Sequence, residues 1–154
     1  MELYDDIKDM FAFTSWGKCF AEQDVKQLAT RLERLDVRDG EKIFNLGDKD
    51  FYLSYIIKGK VAILKDYEGE PSQTIVTLSG NTFFGEISLV DGLPRSASAV
   101  AKGDVSLAIL PKSEYDKILE ENPALAVKLQ KSLLLVLAKR LRFTTLEFIR
   151  LMQK

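Results

Sequence analysis

"NTFFGEISLVDGLPRSASAVA", Asn81 to Ala101, sets one acid and one arginine into a stretch that otherwise has the composition of a core. Phe83, Phe84, Ile87, Leu89, Val90 and Leu93 favour burial, yet Glu86 and Arg95 stand among them with glycines and a proline. A charge taken out of water has to be paired with another side chain or with a bound molecule. Two readings are therefore open from the residues alone. Either Glu86 and Arg95 neutralise each other and tie a loop down, or both face a ligand.

Outward from this stretch the texture is that of a β protein. From about Asp36 to Leu110 come short β-rich runs, "EKIFNLGD", "FYLSYIIKGKVAIL", "QTIVTLSGN", "SASAVA" and "VSLAIL". Gly40, Gly47, Gly59, Gly69, Pro71, Gly80, Gly92 and Gly103 punctuate them. Strands at about 8–12-residue spacing predict an antiparallel sandwich or barrel and not βαβ units. "IIKGKVAI" predicts a hairpin turning at Lys58-Gly59.

Helical patterns flank the β segment. Leu3, Ile7, Met10 and Phe11 recur at helical spacing, as do Val25, Leu28, Leu32 and Leu35, so residues 1 to 35 read as two helices broken at Gly17. After Pro111, "KSEYDKILEEN" predicts a short helix with Ser113 as its cap and Asn122-Pro123 as its end. From Pro123 to about Met152 no glycine or further proline interrupts, which predicts a rod of about 43 Å. Leu133 to Leu137 is apolar on every face, and such a helix must be covered on both sides. The β-domain covers one side. A second copy of the same helix is the simplest cover for the other, so a homodimer is expected.

A chain of 154 residues, 46% hydrophobic and 29% charged, suits one globular domain. It divides into N-terminal helices (1–35), a β-rich segment (36–110) and C-terminal helices (111–154). The net charge of -1 offers no overall basic field for nucleic acid. Seven cations nonetheless fall between Pro123 and Lys154 against Glu147 alone. They read either as a solvated face that favours a helix C-terminus or as a docking surface for an acidic partner. The acidic N-terminus is unlike a secretory leader, and "LLLVLA" is too short to span a bilayer. Cys19 is alone, so no internal disulfide forms. A cytoplasmic protein without a membrane partner is expected. There is no histidine, which removes Ser-His and Cys-His nucleophiles and the usual metal sites. No catalytic residue, metal or resident cofactor is therefore expected.

These pieces together resemble a cyclic nucleotide-binding domain, the family shared by bacterial catabolite activators, protein kinase A regulatory subunits and gated channels. "DGEKIFNLGDKD" followed by "YIIKGKVAIL" resembles its first hairpins, and "FGEISLVDGLPRSASAVA" resembles its phosphate-binding cassette. The resemblance implies a mainly β fold with flanking α: an antiparallel double-stranded β-helix, a jelly-roll-like β-roll of about eight strands. N-terminal helices, a short cassette helix and a long dimerisation helix would complete it. It implies a cassette of Gly85, Glu86, Ile87, Ser88, Pro94, Arg95, Ser96 and Ala97 that binds cAMP, with cGMP also compatible. It places Thr144 and Thr145 of "AKRLRFTTLEF" where hydroxyls contact the base, one reaching across the dimer. The other reading of that pair is two hydroxyls on a dimer helix.

The chemistry of the residue types agrees with such a ligand. Arginine offers a planar donor fork to phosphate oxygens. An ionised glutamate only accepts, so it suits a ribose hydroxyl and repels phosphate. Gly85 admits a close backbone approach, and "EISLV" is one short helical turn whose start presents free N–H groups. The function expected is a non-catalytic sensor. Its alternatives are the effector-binding half of a catabolite-activator-type regulator, with no DNA-reading module in the sequence before Lys154, and a ligand-free dimeric scaffold.

Overall fold

Two fourteen-residue strands, β3 (Tyr52–Lys65) and β6 (Ser98–Pro111), carry the sheet. The fold is seen in a computed structural model that describes residues 2–65 and 72–153. Around these strands lie α1 (Glu2–Phe13), α2 (Glu22–Ala29), β1 (Glu33–Val37), β2 (Lys42–Phe44), β4 (Gln73–Leu78), β5 (Phe83–Phe84), α3 (Glu86–Asp91), α4 (Lys112–Glu121) and α5 (Pro123–Met152). All pairings are antiparallel. Val105–Ile109 of β6 pair with β1, and Leu107–Pro111 pair with the start of β3, whose Ser54 and Tyr55 face β5. The other ends of β3 and β6 pair with each other, with β4 beside β3 and β2 beside β6. The chain is thus the expected antiparallel roll with flanking helices.

β3 does not turn at Lys58-Gly59. It runs through, and only its register with β6 slips, from Ile56↔Leu107 to Lys58↔Ser106 and Lys60↔Lys102. Gly59 alone of this dipeptide has positive φ, +102°, whereas a two-residue hairpin turn of type I′ needs two such residues. A bulge satisfies one glycine, and β6 pairs with β3 on both sides of it. The six strands among the described residues therefore do the work of eight, because β3 and β6 each serve both halves of the roll. A second correction concerns Leu32 and Leu35. Their helical spacing notwithstanding, α2 stops at Ala29 and Glu33–Val37 form β1, because pairing with β6 outweighs local propensity.

The two faces of the strands feed two cores. Val37, Phe44, Tyr52, Ile56, Val61, Phe84, Ala99, Ala101, Val105 and Leu107 fill the roll. Leu53, Tyr55, Phe83, Ala108 and Leu110 face outward and join a helical layer built from Ile7, Phe11, Trp16, Leu28, Ile118, Leu129 and Leu133. β5 is split between them, with Phe83 in one core and Phe84 in the other. This double anchoring fixes the entry to the Asn81–Ala101 stretch.

α4 starts at Lys112 directly after β6, with Pro111 and not Ser113 at its cap position and no capping side chain. The strand holds on to that end: the Lys112 N–H donates to the Phe51 carbonyl. Asn122 accepts from the Leu125 N–H and starts α5, with Pro123 in its first turn. α5 is 30 residues long, about 45 Å, as its composition predicts. The turn expected at Gly69 and Pro71 lies outside the described residues. No helix among the described residues is long and apolar enough to cross a membrane.

The bend gives a stability test. A Cβ on Gly59 would lie 2.6 Å from the Asp104 carbonyl oxygen, whereas one on Gly40, also at positive φ, meets nothing within 4 Å. Gly59→Ala is expected to cost about 2–3 kcal/mol, roughly 4–10 °C in melting temperature. Gly40→Ala should cost about 1 kcal/mol. Calorimetry that ranks the two variants equally would contradict the bend assignment.

Candidate functional site

The stretch leaves β5 at Gly85, whose φ is +84°. A Cβ there would meet the Arg95 Nη1 at 2.8 Å and the Tyr52 carbonyl oxygen at 2.9 Å, so only glycine fits. Glu86 then opens α3, which ends at Gly92, itself at φ +70°, where the backbone N–H closes on the Ser88 carbonyl. The chain returns through Pro94 to Arg95. There the backbone is stitched to the loop after β2: the Arg95 N–H donates to the Asp48 carbonyl and the Arg95 carbonyl accepts from Gly47. One residue pair further, the Ser98 hydroxyl accepts from the Leu46 N–H at 2.8 Å.

Arg95 is buried, at 3% exposure, and Glu86 is buried at 4%, yet the two do not pair. The Arg95 guanidinium donates to three backbone carbonyls, through Nη1 to Gly85 at 3.0 Å and through Nη2 to Asp50 at 3.2 Å and Tyr52 at 2.9 Å. Its carbon lies 4.1 Å from the Phe44 ring centre, 4.9 Å from Tyr52 and 6.0 Å from Phe51. The Nε–H is buried and has no partner. Burial lowers the pKa of this guanidinium, an effect opposed by the fields of Tyr52, Asp50, Asp48 and Glu86. An ordinary arginine value is so high that the group stays charged at neutral pH.

Glu86 has a partner that was not singled out in the sequence. Arg140 reaches from α5 and donates through Nη1 to Glu86 Oε1 at 2.6 Å. Its Nη2 donates to the Phe83 carbonyl and, at 3.4 Å, to the Thr82 hydroxyl. A signal for it does exist. Leu125, Leu129, Leu133 and Val136 form the buried line of α5, and Arg140 continues that line one turn further. A cation on the core-facing stripe of a helix needs a buried acid, and read among the other six basic residues of the segment this one passes as solvated.

The structure therefore gathers Gly85, Glu86 and Arg95 around one short turn, with Ser88 buried beneath it. Pro94 and Ser96 are exposed, Ala97 is half-buried, and the Ile87 side chain is exposed. Thr144 and Thr145 stand on exposed turns of α5 beyond Arg140, and the Thr145 hydroxyl donates to the Leu141 carbonyl of its own helix. Chemically, the gathered set presents a buried cation with an unmet donor beside an acceptor-only carboxylate. That combination suits an anion carrying a hydroxyl.

Truncating Arg140 leaves Glu86 buried without its counter-charge. Arg140→Met is expected to cost about 1–3 kcal/mol, with the partial exposure of Arg140 keeping the loss below that of a fully buried pair. Adding Glu86→Gln should return part of it. A double-mutant cycle by urea unfolding with coupling below about 0.5 kcal/mol would show the pair to be incidental.

Comparison with known proteins agrees with this geometry. Residues 34–122 match the cyclic nucleotide-binding domain model. The chain is 33% identical over 127 residues to the cyclic AMP receptor protein of Thermus thermophilus, covering 82% of this chain and 57% of that one. It is 30% identical over 93 residues to a cAMP-dependent protein kinase regulatory subunit of Mucor circinelloides, covering 60% of this chain and 22% of that one. The chain thus spans well under two thirds of either relative. Among solved structures, a cyclic nucleotide-binding domain from Methylobacillus flagellatus superposes with a TM-score of 0.86 at 26% identity, over 97% of this chain and 84% of that one. With the roll, the glycine-flanked turn and the matched segment in agreement, the chain belongs to the cyclic nucleotide-binding domain family.

Proposed function

We propose that this domain is a non-catalytic sensor of a cyclic nucleotide, cAMP in the first instance, that reports binding through α5. The observation that carries the reading is Arg95. It is buried, bound by no carboxylate among the described residues, and its Nε–H is unmet. A phosphodiester oxygen supplies the missing acceptor and the missing counter-charge together. Glu86 is the acceptor for the ribose 2'-hydroxyl, and the relative named as a cyclic AMP receptor supports adenine as the base.

Arg140 links the ligand to the helix. Ribose entering at Glu86 shares or displaces the Arg140 hydrogen bond, and Arg140 belongs to α5. A ligand shifts a conformational equilibrium only through contacts that differ between the states, and this bond is one that has to differ. Thr144 and Thr145, the next turn outward, are the candidate base contacts once α5 closes or a second copy approaches.

A second copy is favoured by the outward face of α5. Val127, Leu134, Leu141 and Phe148 repeat every seven residues, and all four are strongly exposed. A sustained seven-residue apolar line is the seam of a paired helix. It lies opposite the buried line of Leu129, Leu133 and Val136, so one helix packs on its own roll and on its twin. The competing reading, a dimeric scaffold that binds no ligand, accounts for every feature except the unmet donor.

Three measurements follow. Melting with cAMP, cGMP and AMP at about 100 times the dissociation constant should raise stability by ~2.7 kcal/mol for the true ligand, about 5–10 °C. A flat response to both cyclic nucleotides at millimolar concentration would favour the scaffold. Arg95→Ala should weaken cAMP binding at least about thirtyfold by titration calorimetry. Unchanged affinity would sink the phosphate assignment. Leu134→Glu with Leu141→Glu should give a monomer in light scattering, and a dimer that survives the pair of charges would place the interface elsewhere.

A further inference from the structure

A buried arginine is normally held by a carboxylate, and this one is held by three backbone carbonyls and flanking rings. We infer that Phe44 and Tyr52 are positioning residues for the ligand site: they fix the plane of the Arg95 guanidinium without neutralising it. The inference rests on the reading of Arg95 as the phosphate donor given above.

The packing supports it residue by residue. Phe44, at the end of β2, lies against the guanidinium at 4.1 Å, the separation of a face contact between cation and π system. Tyr52, at the start of β3, stands at 4.9 Å and meets the Phe44 ring edge-on, 6.3 Å between centres. Both rings are fixed from behind. The Tyr52 hydroxyl donates to the Ile43 carbonyl at 2.9 Å, and Phe44 packs on Phe84, 5.9 Å between centres. Phe84 is the residue that precedes Gly85. The cassette strand, the ring and the guanidinium thus pack as one continuous cluster.

The electrostatic consequence distinguishes rings from an acid. A carboxylate in this position would orient Arg95 and also cancel its charge, so an incoming phosphate would have to compete with it. A π face and three carbonyl dipoles stabilise the cation without supplying a countercharge. The positive charge stays available to the ligand. Asp48 and Asp50 lie close enough to act on Arg95 through space, but the Asp48 carboxylate is turned to the Asn45 N–H and Asp50 contributes its carbonyl. Pre-orienting the donor lowers what ligand binding must spend on ordering it.

The test compares wild type with Phe44→Leu, which keeps an apolar side chain and loses the ring, and Phe44→Tyr, which keeps the ring. Two readouts are taken: cAMP affinity by titration calorimetry, and the Arg95 Nε–Hε signal in nitrogen-edited NMR of the free protein. In wild type the Hε signal should be shifted upfield by the rings and protected from solvent exchange. Phe44→Leu should lose the upfield shift and weaken cAMP binding about tenfold, and Phe44→Tyr should keep the shift with affinity within about twofold of wild type. The inference is overturned if Phe44→Leu binds like wild type. It is equally overturned if both variants weaken alike, since that marks a packing role. A wild-type Hε signal without an upfield shift overturns it even where Phe44→Leu does not fold. If wild type binds neither cyclic nucleotide, the proposed function fails by a different observation, one that leaves the Hε signal unaffected.

Discussion

The Arg95 guanidinium, buried and touched among the described residues by backbone carbonyls and aromatic faces but by no carboxylate, is the constraint around which this domain is arranged. Its three acceptors come from the residue before the cassette helix, Gly85, from Asp50 in the loop that leads into β3, and from Tyr52, the first residue of that strand. Its own backbone closes the loop after β2 through Asp48 and Gly47. The run from Phe44 to Tyr52 and the entry to the cassette at Gly85 therefore both converge on this one residue. A lysine could not do the same, because its three donors share one nitrogen, whereas the bonds here leave from two separate nitrogens of a planar fork. Gly85 follows from the same constraint, since any Cβ would occupy the space of the guanidinium.

The two charged residues of the cassette are thus kept apart and given unlike surroundings. Arg95 has dipoles and rings, which leave its charge unbalanced. Glu86 has a full countercharge, Arg140, supplied by the last element of the chain. An arrangement of this kind separates two tasks. One end of the turn holds a buried cation that no carboxylate touches among the described residues, and the other end is joined to α5. The helix that supplies Arg140 is long, has one apolar line on its own roll and a second, heptad-spaced line facing outward. A small change at Glu86 is therefore made at the root of a rod whose remaining turns are free to meet another surface.

The roll itself makes this possible by continuity. β3 and β6 bend at Gly59 and Gly103 without breaking, so the cassette strand β5 and the lower edge β4 hang from the same backbone. Phe83 and Phe84 pin the cassette into both cores at once. Trp16 and Tyr55 pack on Phe83, edge-on in each case, which ties the N-terminal helices to the strand that enters the site. The role of residues before β1 is thereby clearer than their composition suggests: they form the back wall of the cassette.

Much of this was legible in the order of residues. The alternating strands, the glycines at the bends, the uninterrupted helix after Pro123 and the chemistry of a Gly-Glu turn followed by Pro-Arg are local properties, set by side-chain type and spacing. Pairings were not legible. Glu86 takes Arg140, 54 positions away, and Arg95 takes carbonyls from residues 43 and 45 positions away. Leu32 and Leu35 keep helical spacing yet sit beside a strand, because β6 lies beside them. Lys58-Gly59 looks like a turn yet stays extended, because β6 pairs on both sides of it. Composition determines which groups need a partner; only the folded chain, by bringing distant segments within hydrogen-bonding reach, decides which partner each one gets.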